Sequence, residues 1–274
     1  MPVVKTAALL SLHYEDTGGH GRPVVLIHGW PLSEKSWSLQ VPALEEAGYR
    51  VVTYDRRGFG ESDKPGGGLD YDMLADDLAS VIDGLGLDDV TLVGFSMGGG
   101  EVARYIGRHG EVKIHSVVFA SAVPPFLEKT NDNPDGGMSN EDIEGMVAGV
   151  HDDREGFLDP FTTAFFSAGD ELMVTEEQRQ EALDMQAVAE QSAVEDCVEA
   201  FSRTDFRADL AKIAAPTLVI HGDSDGIVPF EVSGKRTHEA IDACRLVVIE
   251  KGPHGLNVSH ADQFNAALLE FLDD

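Results

Sequence analysis

The chain has 274 residues, 42% of them hydrophobic, and carries 49 acidic side chains against 20 basic ones for a formal net charge of −29. That length suits one large α/β domain or two small ones with a sizeable core, and the charge repels nucleic acid and anionic membranes, which excludes both as partners. No apolar run approaches the ~20 residues of a membrane span, the stretch Met1 to Leu10 lacks a signal-peptide pattern, and Cys197 and Cys244 match no metal or redox spacing. A soluble cytoplasmic protein with free, buried thiols is expected. The acids are scattered (Glu45, Glu46, Asp76, Asp77, Asp88, Asp89, Glu176, Glu177, Glu195, Asp196) rather than gathered in a tail. This pattern points to adaptation to high salt, which screens such a surface against itself.

Leu9 to Tyr14 reads as a first strand, followed by a Gly-rich turn from Glu15 to Arg22. Pro23 to Ile27 is short and wholly apolar, as befits a strand buried on both faces of a parallel sheet. The pattern predicts a helix over Ser36 to Gly48, with Trp37, Val41 and Leu44 on one face, and a strand over Tyr49 to Tyr54. Tyr71 to Leu85 is amphipathic, its stripe formed by Leu74, Leu78, Val81, Ile82 and Leu85. Val90 to Val93 reads as a strand, Gly99 to His109 as a helix and Ile114 to Ala120 as a strand. From Pro124 to Leu210 helical stretches take over, two of them opened by capping-box signals, Ser139 with Asp142 and Thr175 with Gln178. Strand character resumes at Pro216 to Ile220 and Arg245 to Ile249, and a last amphipathic helix runs from Ala261 to Leu272. The alternation predicts an α/β fold, a doubly wound and mostly parallel sheet. Its core covers 1–123 and 211–274, and a helical cap is inserted over 124–210.

Gly94-Phe95-Ser96-Met97-Gly98 lies between a strand and a helix. Gly-x-Ser-x-Gly in that context is the nucleophile elbow, a turn so tight that small residues must flank the serine. A serine nucleophile needs a base, and the base needs an orienting acid. Both belong on loops at the carboxyl ends of strands. Two such loops remain: His221 to Pro229 after the strand 216–220, and Lys251 to Gly255 after the strand 245–249. They supply Asp225 and His254, completing the order Ser, Asp, His of the α/β-hydrolase type. Within the loops, Asp223 suits an Asx-type turn that holds the chain. His260 falls at the start of the last helix, beside Ser259 as its N-cap. His221 and His28 read as structural, and His13, His20, His109, His115, His151 and His238 have no motif context.

Oxyanion donors are expected from the backbone N–H of Met97 and from the loop His28-Gly29-Trp30-Pro31. Pro31 has no N–H, so the second donor is Trp30. Pocket walls are expected from Trp30, Pro31, Phe95, Val123, Phe126, Leu127, Phe165, Phe166, Ile227 and Val228. Gly98 to Ala103 matches a dinucleotide fingerprint only formally, because it starts inside a helix and no acidic residue follows the next strand. No phosphate loop, zinc motif or haem attachment motif is present, so neither metal nor cofactor is implied.

His28-Gly29-Trp30-Pro31, Asp55 to Ser62, Gly94 to Tyr105, and His221-Gly222-Asp223 with Asp225 together resemble the cofactor-free (non-haem) haloperoxidase, arylesterase and perhydrolase family of α/β-hydrolases. The resemblance covers the whole chain. It implies Ser96, Asp225 and His254 as the triad and Trp30 and Met97 as the oxyanion hole. It also implies small acyl or aryl esters, or carboxylic acids, as substrates, with water or hydrogen peroxide as second reactant. A peracid product then oxidises halide in solution, and a homo-oligomer is compatible with the family. Trp30-Pro31 is similar to the perhydrolase-competent members, where proline would aim the Trp30 carbonyl at peroxide. Serine at the elbow sets the chain apart from haloalkane dehalogenases and epoxide hydrolases, which place aspartate there. Two other readings stay open: a different Ser-His-Asp hydrolase (lactonase, γ-lactamase or carbon–carbon hydrolase), and a hydrolase-fold sensor with little turnover.

Overall fold

Runs of near-continuous apolar residues form the centre of one eight-stranded sheet, since burial on both faces leaves none of their side chains in water. In the computed structural model, which describes residues 1–274, the strands are β1 (Val3–Lys5), β2 (Ser11–Asp16), β3 (Pro23–Ile27), β4 (Arg50–Tyr54), β5 (Val90–Phe95), β6 (Ile114–Ala120), a small hairpin of β7 (Ser167–Ala168) and β8 (Glu171–Leu172), β9 (Thr217–Gly222) and β10 (Cys244–Ile249). The sheet order is β1-β2-β4-β3-β5-β6-β9-β10. β2 runs antiparallel to β1 and β4, and from β4 onward every pairing is parallel.

The helices are α1 (Val41–Glu46), α2 (Tyr71–Gly84), α3 (Met97–His109), α4 (Asn140–Asp152), α5 (Arg154–Phe165), α6 (Glu176–Ala187), α7 (Gln191–Arg203), α8 (Arg207–Leu210), α9 (Gly234–Ala240), α10 (Leu256–Ser259) and α11 (Ala261–Leu272). Side chains alternate along each strand. Val25, Ile27, Leu92, Val117, Phe119 and Val219 therefore share one core with α2, α3 and α7. Their neighbours Val24, Leu26, Val93, Phe95, Val118 and Ile220 share the other with Trp37, Leu44 and α11. No helix is long and apolar enough to cross a membrane.

Between β6 and β9 the chain first runs through a loop over 121–139, with bridges Glu128–Met138 and Thr130–Asn133. The expected cap over 124–210 is therefore helical only from Asn140 onward, apart from the small hairpin. Both expected capping boxes form: Ser139 and Asp142 exchange bonds of 2.8 and 3.2 Å, and Thr175 and Gln178 bonds of 3.0 and 3.3 Å. Several expected boundaries move. The expected helix 36–48 divides into a 3-10 turn, Glu34–Trp37, and α1, because Pro42 cannot donate to a carbonyl one turn back and is tolerated only in a first turn. β2 begins two residues late, after a turn that closes by Leu9 N–H donating to Thr6 O (2.8 Å). α3 begins at Met97, two residues early. His221 and Gly222 belong to β9 rather than its loop, paired with Val248 and Ile249 of β10. Ser259 ends α10, so the residue at the N-cap of α11 is His260. Cys197 is buried as expected, but Cys244, on the edge strand, is only half-buried.

Five of the 20 basic residues are used twice. Arg104, Arg108, Arg179, Arg203 and Arg207 each hold two carboxylates, yet with 49 acidic side chains against 20 basic ones most acids still have no cationic partner. Screening of that excess is expected to raise the melting temperature between dilute buffer and molar KCl. An unchanged or lower melting temperature would refute salt adaptation.

Candidate active site

β5 ends at Phe95 and α3 begins at Met97, so a single residue reverses the chain. Ser96 does this at φ 55° and ψ −119°, a conformation that costs a non-glycine residue about 1–3 kcal/mol. The reversal demands contacts that side chains would block: a Cβ on Gly94 would lie 2.5 Å from the Gly98 carbonyl oxygen, and one on Gly98 would lie 2.5 Å from that of Ile27. Ser96 N–H donates to Ala120 O (2.9 Å), and its carbonyl accepts from Gly99 (3.0 Å) and Val123 (3.2 Å).

The loops after β9 and β10 bring two further groups to the hydroxyl. His254 Nε2 stands 2.9 Å from Ser96 Oγ, and its Nδ1 stands 2.8 Å from Asp225 Oδ2. With Nδ1–H donating to the carboxylate, Nε2 is bare and accepts a hydrogen bond from the serine hydroxyl. All three residues are buried, His254 to 1% exposure. Asp225 Oδ1 accepts from the N–H groups of Ile227 (3.0 Å) and Val228 (2.8 Å). Burial pushes the Asp225 carboxyl up, but the charge of His254 and hydrogen bonds from His221 and His254 outweigh it and hold the group well below the usual carboxylate range. Asp223 stays outside this chain. Its Oδ1 accepts from Lys251 N–H at 2.7 Å and so ties the two loops together. His260 is engaged with Ser259 Oγ at 2.9 Å.

The N–H groups of Trp30 and Met97 have no acceptor within the chain, and neither does any hydrogen bond reach the Trp30 carbonyl. Ser96 and His254 open into a cavity of about 250 Å³ lined by Trp30, Val123, Leu127, Met138, Met146, Phe157, Phe161, Phe201, Gly226, Ile227 and Val228. The Trp30 ring packs edge-on against Phe161 (5.2 Å) and beside Phe201 (5.6 Å), and its Nε1–H donates to Val194 O at 3.0 Å. Apart from His254, no titratable side chain faces the space.

The alpha/beta hydrolase fold family matches this chain over residues 22–261. A non-heme chloroperoxidase of Kitasatospora aureofaciens is 42% identical, with 100% of both chains covered. A bifunctional esterase/perhydrolase of Acinetobacter calcoaceticus is 36% identical over 99% of each. The crystal structure of a bromoperoxidase from Bacillus anthracis superposes with a TM-score of 0.97 at 55% identity, covering 100% of this chain and 99% of that one. This chain is an α/β hydrolase. Within that family it belongs with the cofactor-free haloperoxidases, arylesterases and perhydrolases.

Of the residues expected to wall the hydrolase's pocket, Trp30, Val123, Leu127, Ile227 and Val228 line it, whereas Pro31, Phe95, Phe126, Phe165 and Phe166 do not. Strand alternation sends Phe95 to the α11 side, where it packs at a tilt behind His254 (5.3 Å). Phe165 abuts the same imidazole at 4.8 Å, and Phe166 packs on Phe165 at 4.8 Å. Phe126 turns to the Arg207 guanidinium, 5.5 Å away. Pro31 is buried in the turn that follows Trp30. Met138, Met146, Phe157, Phe161, Phe201 and Gly226 escaped the sequence reading. Phe157 and Phe161 sit one helical turn apart, a signal for a shared face but not for what that face meets.

His28 is a brace. Its Nδ1–H donates to Gly29 O (2.9 Å), and its Nε2 accepts from Arg56 N–H (3.1 Å). Burial and the Arg56 charge hold its pKa well below the usual imidazole value, so the ring is neutral. Arg56 in turn pairs with Glu101 of α3, whose other oxygen accepts from the Tyr54 hydroxyl at 2.6 Å. This network clamps the 28–31 loop to the first turns of α3. His221 plays a similar part for the acid: its Nε2 lies 2.8 Å from Val228 O and 3.3 Å from Asp225 Oδ2.

Asp225 ionises at lower pH in the fold than in the unfolded chain, where about 3.9 is usual. Its charge therefore favours the fold above that value, and the contribution fades as pH falls below it toward the depressed folded value. Asp225→Asn should lower the urea midpoint more at pH 7 than at pH 3. An equal loss at both would contradict this account.

Proposed function

We propose that the chain is a serine-dependent esterase and perhydrolase for small, uncharged acyl or aryl esters. The observation that carries this reading is the hydrogen-bonded series Asp225–His254–Ser96 ending in an apolar cavity. Ser96 Oγ attacks the ester carbonyl while His254 Nε2 takes its proton, and Asp225 holds the imidazole in the tautomer this requires. The developing oxyanion faces the free N–H groups of Trp30 and Met97 at the N-terminus of α3, donors already in place before charge appears. His254 then protonates the departing alcohol, leaving an acyl-serine. Water or hydrogen peroxide, deprotonated by His254, releases the acyl group as acid or peracid. A peracid that leaves the site oxidises halide in solution. The scheme needs no metal or organic cofactor. The names of the relatives, an esterase/perhydrolase and haloperoxidases, support both branches of the second step.

The segment 124–210 acts as the cap, contributing Met138, Met146, Phe157, Phe161 and Phe201 to the wall. A space of about 250 Å³ with this lining favours short acyl chains and aryl groups. A substrate bearing carboxylates would meet no cationic side chain there, which disfavours such acids.

A pre-steady-state burst of p-nitrophenol from p-nitrophenyl acetate, approaching one equivalent per chain, is expected of the wild type and absent from Ser96→Ala. Turnover that survives in Ser96→Ala would remove the acyl-serine, and binding without turnover in the wild type would favour a sensor. Pro31 bears on the second step: proline restricts φ at its own position and the backbone before it, and the Trp30 carbonyl it follows is free to accept a bond from peroxide. Pro31→Leu should lower the ratio of peracid formation to ester hydrolysis several-fold. An unchanged ratio would exclude this role.

A further inference from the structure

We propose that Met138 and Met146 are modification sites, whose thioether sulfurs take an oxygen atom from the peracid formed on Ser96. The proposal rests on the perhydrolase reading above. Both side chains line the cavity that holds Ser96 and His254. The rest of its wall is hydrocarbon, an indole and glycine. Thioethers are the most readily oxidised groups among these. No thiol lines the cavity, and burial pushes both Cys197 and Cys244 up to about 12, so neither carries a reactive thiolate. Met138 is also held in place, its sulfur accepting from the Ser202 hydroxyl at 3.6 Å.

The step balances without another reactant. A sulfur lone pair attacks the outer peroxidic oxygen, the O–O bond breaks as the S–O bond forms, and the proton on that outer oxygen passes to the departing carboxylate. Thioether becomes sulfoxide, a two-electron oxidation, and peracid becomes carboxylic acid. A newly released peracid meets these sulfurs inside the cavity at an effective concentration far above that in bulk. A sulfoxide then places a strong acceptor in an apolar wall, which weakens acyl binding. Turnover with peroxide thus carries its own brake.

The remaining methionines are internal controls. Met73, Met173 and Met185 are half-buried like Met138 and Met146 but lie outside the cavity wall, Met97 is buried, and Met1 is 86% exposed. The test follows sulfoxide at all seven positions by peptide mass spectrometry while the peracid in solution is measured separately. Wild type receives ester with hydrogen peroxide, peroxide alone, or preformed peracid at the concentration reached in the first arm. Ser96→Ala receives ester with peroxide. The expected result is oxidation of Met138 and Met146 at least about tenfold ahead of Met73, Met173 and Met185. It should occur with ester and peroxide only, persist when excess free thioether scavenges the bulk, and be absent in Ser96→Ala. KM should rise with the fraction oxidised. The rise per peracid made should be slower in Met138→Leu/Met146→Leu, each enzyme compared with its own starting rate. The proposal is overturned if peracid accumulates but oxidation follows exposure, with Met1 first, or vanishes with the scavenger. If esters are hydrolysed and no peracid forms, the perhydrolase reading fails and this proposal falls with it.

Discussion

The turn at Ser96 is the constraint around which the rest of the molecule is arranged. A strand buried on both faces must pass into a helix through one residue, and that residue must be a serine in a conformation suited to glycine. The strain persists because the surroundings over-determine it. β3 and β6 flank β5, Ala120 and Val123 bond the serine backbone, and Gly94 and Gly98 permit backbone contacts that a single methyl group would prevent. Two features then come together. The hydroxyl stands clear of the sheet, and the N–H of Met97 is left free because it is the first of its helix.

Charge is handled in opposite ways outside and inside. The surface carries a large acidic excess, yet no Asp, Glu, Lys or Arg lines the cavity. The two buried arginines are each paired with a buried carboxylate. Arg56 meets Glu101 beneath the 28–31 loop, and Arg57 meets Asp77 of α2 at 2.5 Å. Breaking such a pair strands a buried charge, at about 3–5 kcal/mol. The pairs therefore hold the 28–31 and 55–62 loops in one arrangement. His221, bonded to the same loop as Asp225, gives the acid comparable support.

Most of the sheet was legible in the sequence because its signals are local. Pro23 to Ile27 and Ile114 to Ala120 are apolar without a break and emerge as β3 and β6 with the expected limits. Ser139 and Thr175 cap helices because each can reach a backbone N–H three residues on. Pro42 was an overlooked local signal, and reading it would have divided the helix at 36–48. The walls of the cavity were another matter. Phe95, Phe165 and Phe166 are as apolar as Phe157, Phe161 and Phe201, yet the first three pack behind His254 and the second three face the cavity.

By itself the sequence determined the order of the central strands and the longer helices, the elbow, and the Ser, Asp, His order of the three groups, since these rest on residue type and on neighbours within a few positions. It did not determine β1, the small hairpin or the short helices α8 to α10. Only the tertiary structure decided which aromatic faces the cavity, that His221 supports Asp225, and that Met138 and Met146 share a space with Ser96. Each of these depends on which side of a strand or helix meets which distant segment. Periodicity says that a face is buried, and packing alone chooses its partner.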